Sequence, residues 1–200
     1  TAEFSVRFGR KVRNLIASDD YKRIFPNVSL RADSKAAGRW DVSGGGEYFA
    51  VGVGGAMTGR GADLLIIDDP HSESAGINPS IEYFDGVYEW YSSGPRQRLQ
   101  PGGSIIIVMT RWHQSDLTGQ IIDASEKRKG ADKWEVIELP ALYDTGKPLW
   151  PDFWSVEELN AIKAELPQSK WLSQYQQKPT SEEGALIKRE YWKEWTYREP

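Results

Sequence analysis

Asp63-Leu64-Leu65-Ile66-Ile67-Asp68-Asp69-Pro70-His71 is the stretch on which the reading of this chain turns. Four unbroken apolar residues predict a strand buried on both faces, as in a parallel sheet. The strand closes on two adjacent carboxylates, with Pro70 as a breaker. Downstream, Pro101-Gly102-Gly103 reads as a turn, and Ser104-Ile105-Ile106-Ile107-Val108-Met109 as a second apolar strand. It ends in Thr110-Arg111-Trp112-His113. Between the two strands, residues 78–93 predict a helix, with Pro79 near its start and Ile81, Phe84, Val87, Tyr88 and Tyr91 along one side. Strands alternating with helices argue for an α/β fold with a largely parallel sheet. In such sheets ligands sit at the carboxyl ends of the strands, so the polar ends at Asp68-Asp69 and Thr110-Arg111 are the first places to look for chemistry.

The other segments fit around this pair. Phe4, Phe8, Val12, Leu15 and Ile16 recur at helical spacing, with Arg7, Arg10, Lys11 and Arg13 on the other side. That basic side is either a solvated face or a contact for DNA phosphates. Ser18-Asp19-Asp20 ends the helix, and Phe25-Pro26-Asn27 signals a turn. Residues 39–54 predict a hairpin around Gly44-Gly45-Gly46. Ser115-Asp116 predicts the cap of a helix carrying Leu117, Ile121 and Ile122. Trp134–Leu139 reads as a short third strand, 140–151 as a loop, and 155–165 and 168–177 as two helices. Trp90, Trp112, Trp134 and Trp154 read as packing residues rather than base-stacking platforms.

Composition narrows the function classes. The chain has 200 residues, 39% of them apolar and 27% charged, enough for a real core. It has no cysteine, which excludes a disulfide scaffold, a thiolate metal site and a cysteine nucleophile. Two histidines, His71 and His113, are too few for a histidine-rich metal centre. No apolar run approaches the length of a membrane span. A net charge of −4 excludes a uniformly basic nucleic-acid coat but not a local basic face, with Arg96, Arg98 and Lys127-Arg128-Lys129 as further phosphate-contact candidates.

An apolar strand ending in two carboxylates is a recurring device for nucleotide hydrolysis. The first carboxylate holds Mg²⁺, usually through water, and the second orients or deprotonates the attacking water. On that pattern Asp68 is the Mg²⁺ carboxylate and Asp69 the catalytic one; the plainer reading is an acidic turn. Thr110 fits the γ-phosphate edge, and Arg111 either stabilises charge or pairs with an acid. The glycines from Gly52 to Gly61 fit neither a dinucleotide fingerprint nor a phosphate loop, and no G-x-x-x-x-G-K-[ST] occurs in the 200 residues. They read as a mobile loop presenting Arg60, which is either an arginine finger for a neighbouring subunit or a structural arginine at a sheet edge.

Thr58-Gly59-Arg60-Gly61-Ala62-Asp63-Leu64-Leu65-Ile66-Ile67-Asp68-Asp69-Pro70 resembles the Walker B region of the large terminase subunit of tailed bacteriophages. Val108-Met109-Thr110-Arg111-Trp112-His113 resembles that family's next strand and coupling motif. Tyr21-Lys22-Arg23-Ile24-Phe25-Pro26 and Tyr175-Gln176-Gln177-Lys178-Pro179 resemble family sequence too, in the same order. The resemblance implies a three-layer P-loop NTPase fold of the ASCE type, incomplete at its N-terminus. Residues 1–150 would form the ATPase core, 151–183 a lid, and 184–200 a linker toward a nuclease domain. It further implies ATP and Mg²⁺ as cofactors, and a homo-oligomeric ring acting on double-stranded viral DNA with a portal protein and a small terminase subunit. The setting would be the host cytoplasm, transiently at the procapsid portal, with no membrane.

Two departures qualify the resemblance. Many members carry Glu where Asp69 stands. The phosphate loop, expected upstream of residue 1, and the nuclease carboxylates, expected downstream of residue 200, are outside these residues, so the chain alone is expected to hydrolyse ATP weakly or not at all. Two other readings stay open: a helicase-like nucleic-acid-dependent ATPase, and a catalytically inert remnant acting only in binding.

Overall fold

A computed structural model describes residues 2–57, 59–72 and 80–180. The chain is mixed α/β and forms two compact units, Thr1–Ser74 with Asp85–Met109, and Ala75–Phe84 with Thr110–Pro200. Among the described residues no helix is long and apolar enough to cross a membrane.

The first unit opens with helix α1 (Ala2–Ala17), followed by the short α2 (Asp19–Ile24). Ser18 both ends α1 and caps α2, its Oγ accepting the Tyr21 N–H at 3.3 Å. Strands β1 (Leu30–Ala36), β2 (Arg39–Val42) and β3 (Glu47–Phe49) form an antiparallel sheet in that order. The expected hairpin is therefore the second half of a meander, and β3 ends at Phe49. β1 carries Arg31, Asp33, Ser34 and Lys35, so its sequence has no apolar alternation to reveal it, and its register slips between Leu30 and Lys35.

One side of α1 rests on this sheet. Trp40 stacks on Tyr48 with ring centroids 5.0 Å apart, and its Nε1–H donates to the Gly9 carbonyl at 3.0 Å. The Tyr48 hydroxyl donates to the Ser5 carbonyl at 2.8 Å, and burial pushes its pKa up. Gly9 permits this approach: a Cβ there would lie 2.3 Å from the Tyr48 ring and 2.9 Å from the Ala37 carbonyl oxygen. Phe4, Phe8, Val12 and Leu15 are all more than two-fifths exposed, so part of the apolar stripe read in the sequence faces outward.

The second sheet of this unit pairs β4 (Ala62–Asp68) with β5 (Leu99–Val108) in parallel, residue for residue from Leu64↔Ser104 to Asp68↔Val108. Pro101–Gly103 is not a separate turn; it lies inside β5, where the register shifts between Ala62 and Leu64. The connection between the strands contains α3 (Ile81–Ser93), started by the Ser80 hydroxyl accepting the Tyr83 N–H, and a 3₁₀ turn (Pro95–Arg98). Pro79 lies outside the described residues. Val87 and Tyr91 of α3 join Ile16, Trp40 and Ile67 among the buried residues of the unit.

β4 and β5 are not covered on both faces. Ile67 is 5% exposed, whereas Leu64, Ile66, Ile106 and Val108 are 47–60% exposed. Side chains alternate between faces along a strand, so these four form one open apolar face. The expected largely parallel sheet is reduced, among the described residues, to this pair beside three antiparallel strands.

In the second unit, α4 (Leu117–Lys127) buries Leu117 and Ile121, and α5 (Val156–Glu165) buries Leu159. A capping box starts α5: Ser155 Oγ accepts the Glu158 N–H, and Glu158 accepts from the Ser155 N–H and hydroxyl. Those bonds hold the Glu158 carboxyl below the usual glutamate range. α6 (Gln168–Lys170) runs into one wide turn, Trp171–Tyr175. Gln176 ties this end to the 140–150 loop, its carboxamide exchanging both bonds with the backbone of Leu142 at 3.1 Å. Trp134–Leu139 is not a strand: among the described residues it joins no ladder, and Val136, Ile137 and Leu139 are more than half exposed. Its apolar content imitated a strand without a partner to pair with. Among the described residues the fully buried tryptophans are Trp40 and Trp171; of the four read as packing residues from the sequence, Trp90, Trp112 and Trp134 are half-buried and Trp154 is 40% exposed. Residues 184–200 lie outside the described set.

Gly9→Ala is expected to lower stability by about 1–3 kcal/mol, because the methyl must displace Tyr48 or the backbone at Ala37. Urea unfolding followed by tryptophan fluorescence measures this, and an unchanged midpoint would contradict the close docking of α1.

Candidate functional site

The parallel register brings the carboxyl ends of β4 and β5 level, with Asp68 opposite Val108. Asp68 is the last residue of β4 and is exposed. Its place in the alternation puts it on the same open face as Leu64 and Ile66. Asp69 breaks the strand by adopting a left-handed backbone, φ +42°, while its N–H still donates to the Val108 carbonyl at 2.9 Å. A non-glycine residue at positive φ is uncommon, and Asp is one of the few side chains that tolerates it. The two neighbouring carboxylates therefore leave backbones of different conformation, one extended and one left-handed. Pro70 and His71 are buried immediately afterwards, which anchors the turn.

Two residues past Val108 the chain enters the segment Thr110–Asp116, built around one carboxylate. Asp116 is fully buried and is the N-cap of α4. Its Oδ1 accepts the Gly119 N–H at 2.9 Å, the capping bond that the sequence predicts. Its Oδ2 accepts the backbone N–H of Trp112 at 2.9 Å and of His113 at 3.3 Å. Both oxygens accept from Nε of Arg111, at 3.1 and 2.9 Å. Arg111 thus pairs with an acid, its side chain 14% exposed. His113 is fixed as well. Its ring stacks on Phe84 at 5.1 Å and 7°, and its Nδ1 accepts the Ser115 N–H at 3.0 Å, which places the neutral ring's proton on Nε2.

Gly119 completes this cluster. A Cβ at position 119 would lie 1.8 Å from the Gln114 carbonyl oxygen and 3.2 Å from a guanidinium nitrogen of Arg111. The sequence marked Asp116 only as a cap. Its second role was signalled by a buriable acid five residues after an arginine, but spacing alone does not tell a cap from a clamp.

Arg60 is engaged within its own chain. It pairs with Glu47 of β3, which also meets Arg39 at 3.3 Å, and lies over the Phe49 ring at 4.6 Å. Of the proposed phosphate contacts, Lys127 is paired with Asp123 at 2.5 Å, and this hydrogen bond raises its pKa.

Among the described residues no three His, Asp or Glu side chains gather as a metal site. The donor set fits Mg²⁺ only in the manner of one exposed carboxylate, Asp68, working with waters and substrate phosphates, which is the usual arrangement for that ion. No known family model matches the chain, and no curated protein matches it.

Asp116→Ala is expected to cost about 3–5 kcal/mol, since it leaves a part-buried guanidinium and three backbone N–H groups without their acceptor. Asp116→Asn, which keeps a capping oxygen, is expected to cost clearly less. Chemical denaturation of the two variants measures the difference, and equal losses would contradict the clamp.

Proposed function

We propose that this chain is a segment of the ATP-hydrolysing motor that packages double-stranded viral DNA into procapsids, the large terminase subunit. The observation that supports it best is the parallel β4–β5 pair, whose level ends lead into Asp68-Asp69 on one strand and Thr110-Arg111 on the other. On this reading the two strands belong to the larger sheet of an ASCE-type P-loop NTPase, and their open apolar face is covered in the complete assembly.

Each residue has a definite task. Asp68 would hold Mg²⁺ through water, and the ion would supply charge neutralisation at the nucleotide phosphates. Asp69 orients the attacking water and accepts its proton. The water oxygen bonds to the γ-phosphorus as the bond to the β–γ bridging oxygen breaks, giving ADP and phosphate. Arg111 stabilises charge on the transferred group, and Thr110 reports its loss. Arg60 acts as a finger on a neighbouring subunit only if it exchanges Glu47 for a phosphate. No G-x-x-x-x-G-K-[ST] phosphate cradle occurs in these 200 residues. The portal protein, the small terminase subunit, a homo-oligomeric ring and viral DNA follow as partners, in the host cytoplasm and at the procapsid portal. Contacts to DNA would be to phosphates and weaken steeply with salt.

ATP hydrolysis by the complete gene product tests this reading. Asp68→Ala is expected to lower kcat by roughly 100-fold or more. A folded complete protein without ATPase activity, or one whose activity survives Asp68→Ala, would contradict it.

A further inference from the structure

Arg111 carries five donors in a planar fork. Asp116 takes only one of them: both of its oxygens gather on Nε. Nη2 makes a long contact of 3.5 Å to the His113 carbonyl, and Nη1 has no hydrogen-bond partner among the described residues. Arginine–carboxylate pairs are frequently bidentate, with two parallel donors on two oxygens. Here the carboxylate divides itself differently. It also binds the backbone N–H groups of Trp112 and His113, directly after Arg111, and that of Gly119 in α4. Asp116 therefore fixes the backbone that carries Arg111 and the Nε edge of its guanidinium, while the Nη1 side remains available.

We propose that Asp116 is the positioning residue of the Thr110–Arg111 segment, holding Arg111 by its Nε edge so that its Nη1 side meets an oxygen of a bound phosphate. The proposal rests on the ATPase reading given above. Three further features keep the arrangement rigid. Asp116 is fully buried, so its attraction for the guanidinium is little screened. The stacked Phe84 and His113 rings brace the segment, and Gly119 leaves the space beside Arg111 that a side chain would fill. Because backbone donors anchor Asp116 independently of Arg111, the carboxylate stays in place when the arginine engages a phosphate.

The experiment is a kinetic double-mutant cycle in the complete gene product. Asp116→Asn keeps a capping oxygen but not the charge. It is expected to leave KM for ATP within about twofold and to lower kcat roughly 10- to 100-fold. Arg111→Ala is expected to lose as much or more, and the double variant to be no slower than Arg111→Ala alone. Wild-type kcat in Asp116→Asn, or losses that multiply in the double variant, would overturn the proposal while leaving the ATPase reading intact. A wild-type protein that does not hydrolyse ATP would overturn both. If Asp116→Asn fails to fold, Arg111→Lys carries the test: it keeps a cation beside Asp116 but has no planar fork, and its kcat is expected to fall like that of Arg111→Ala. Wild-type kcat in Arg111→Lys would overturn the proposal.

Discussion

The parallel pairing of β4 with β5 is the constraint from which the geometry of the candidate site follows. Parallel strands cannot be joined by a tight turn, so the chain must leave β4 and return through a crossover, which here contains α3. The same direction in both strands puts both carboxyl ends at one edge, and the register places Asp68 level with Val108. The left-handed turn at Asp69 ends β4 at that edge and gives the second carboxylate a backbone of its own.

A two-stranded parallel sheet does not stand well alone. Parallel sheets are ordinarily covered on both faces. Leu64, Ile66, Ile106 and Val108 are each about half exposed, and covering them would contribute roughly 3–6 kcal/mol. The outward part of the α1 stripe points the same way. Both faces have the composition of interior surface. The Asp116 clamp stands in contrast, because its buried charge is answered within five residues on either side by a guanidinium and by backbone N–H groups.

Elements with a strong periodic signal were legible in the sequence. Helix α1, the β2–β3 hairpin, the first aliphatic strand and the Asp116 cap stand where spacing and capping chemistry put them, and the second aliphatic strand is there too but begins five residues earlier, at Leu99. What was not legible depended on partners. β1 is polar and exists because β2 offers it a ladder, whereas Val136, Ile137 and Leu139 are apolar and join no strand ladder among the described residues. Burial of β4 and β5 on both faces was inferred from four consecutive apolar residues, but an apolar run records what a strand can bury, not what is there to bury it. At the candidate site, Asp68-Asp69 and Thr110-Arg111 were visible as residues at strand ends. The partner of Arg111 was not, because the pairing depends on how five residues of loop fold back. Arg60 was legible as an arginine beside glycines, and its bond to Glu47 links segments 13 residues apart that no local pattern connects.

The central claim is that the end of β4 is a Mg²⁺-dependent nucleotide site. Its most direct test is the equilibrium affinity of the complete gene product for ATP, measured by calorimetry with Mg²⁺ and with EDTA, in the wild type and in Asp68→Asn. Mg²⁺ is predicted to tighten ATP binding in the wild type, and that increment is predicted to disappear in Asp68→Asn. The same Mg²⁺ increment in both proteins would contradict the account.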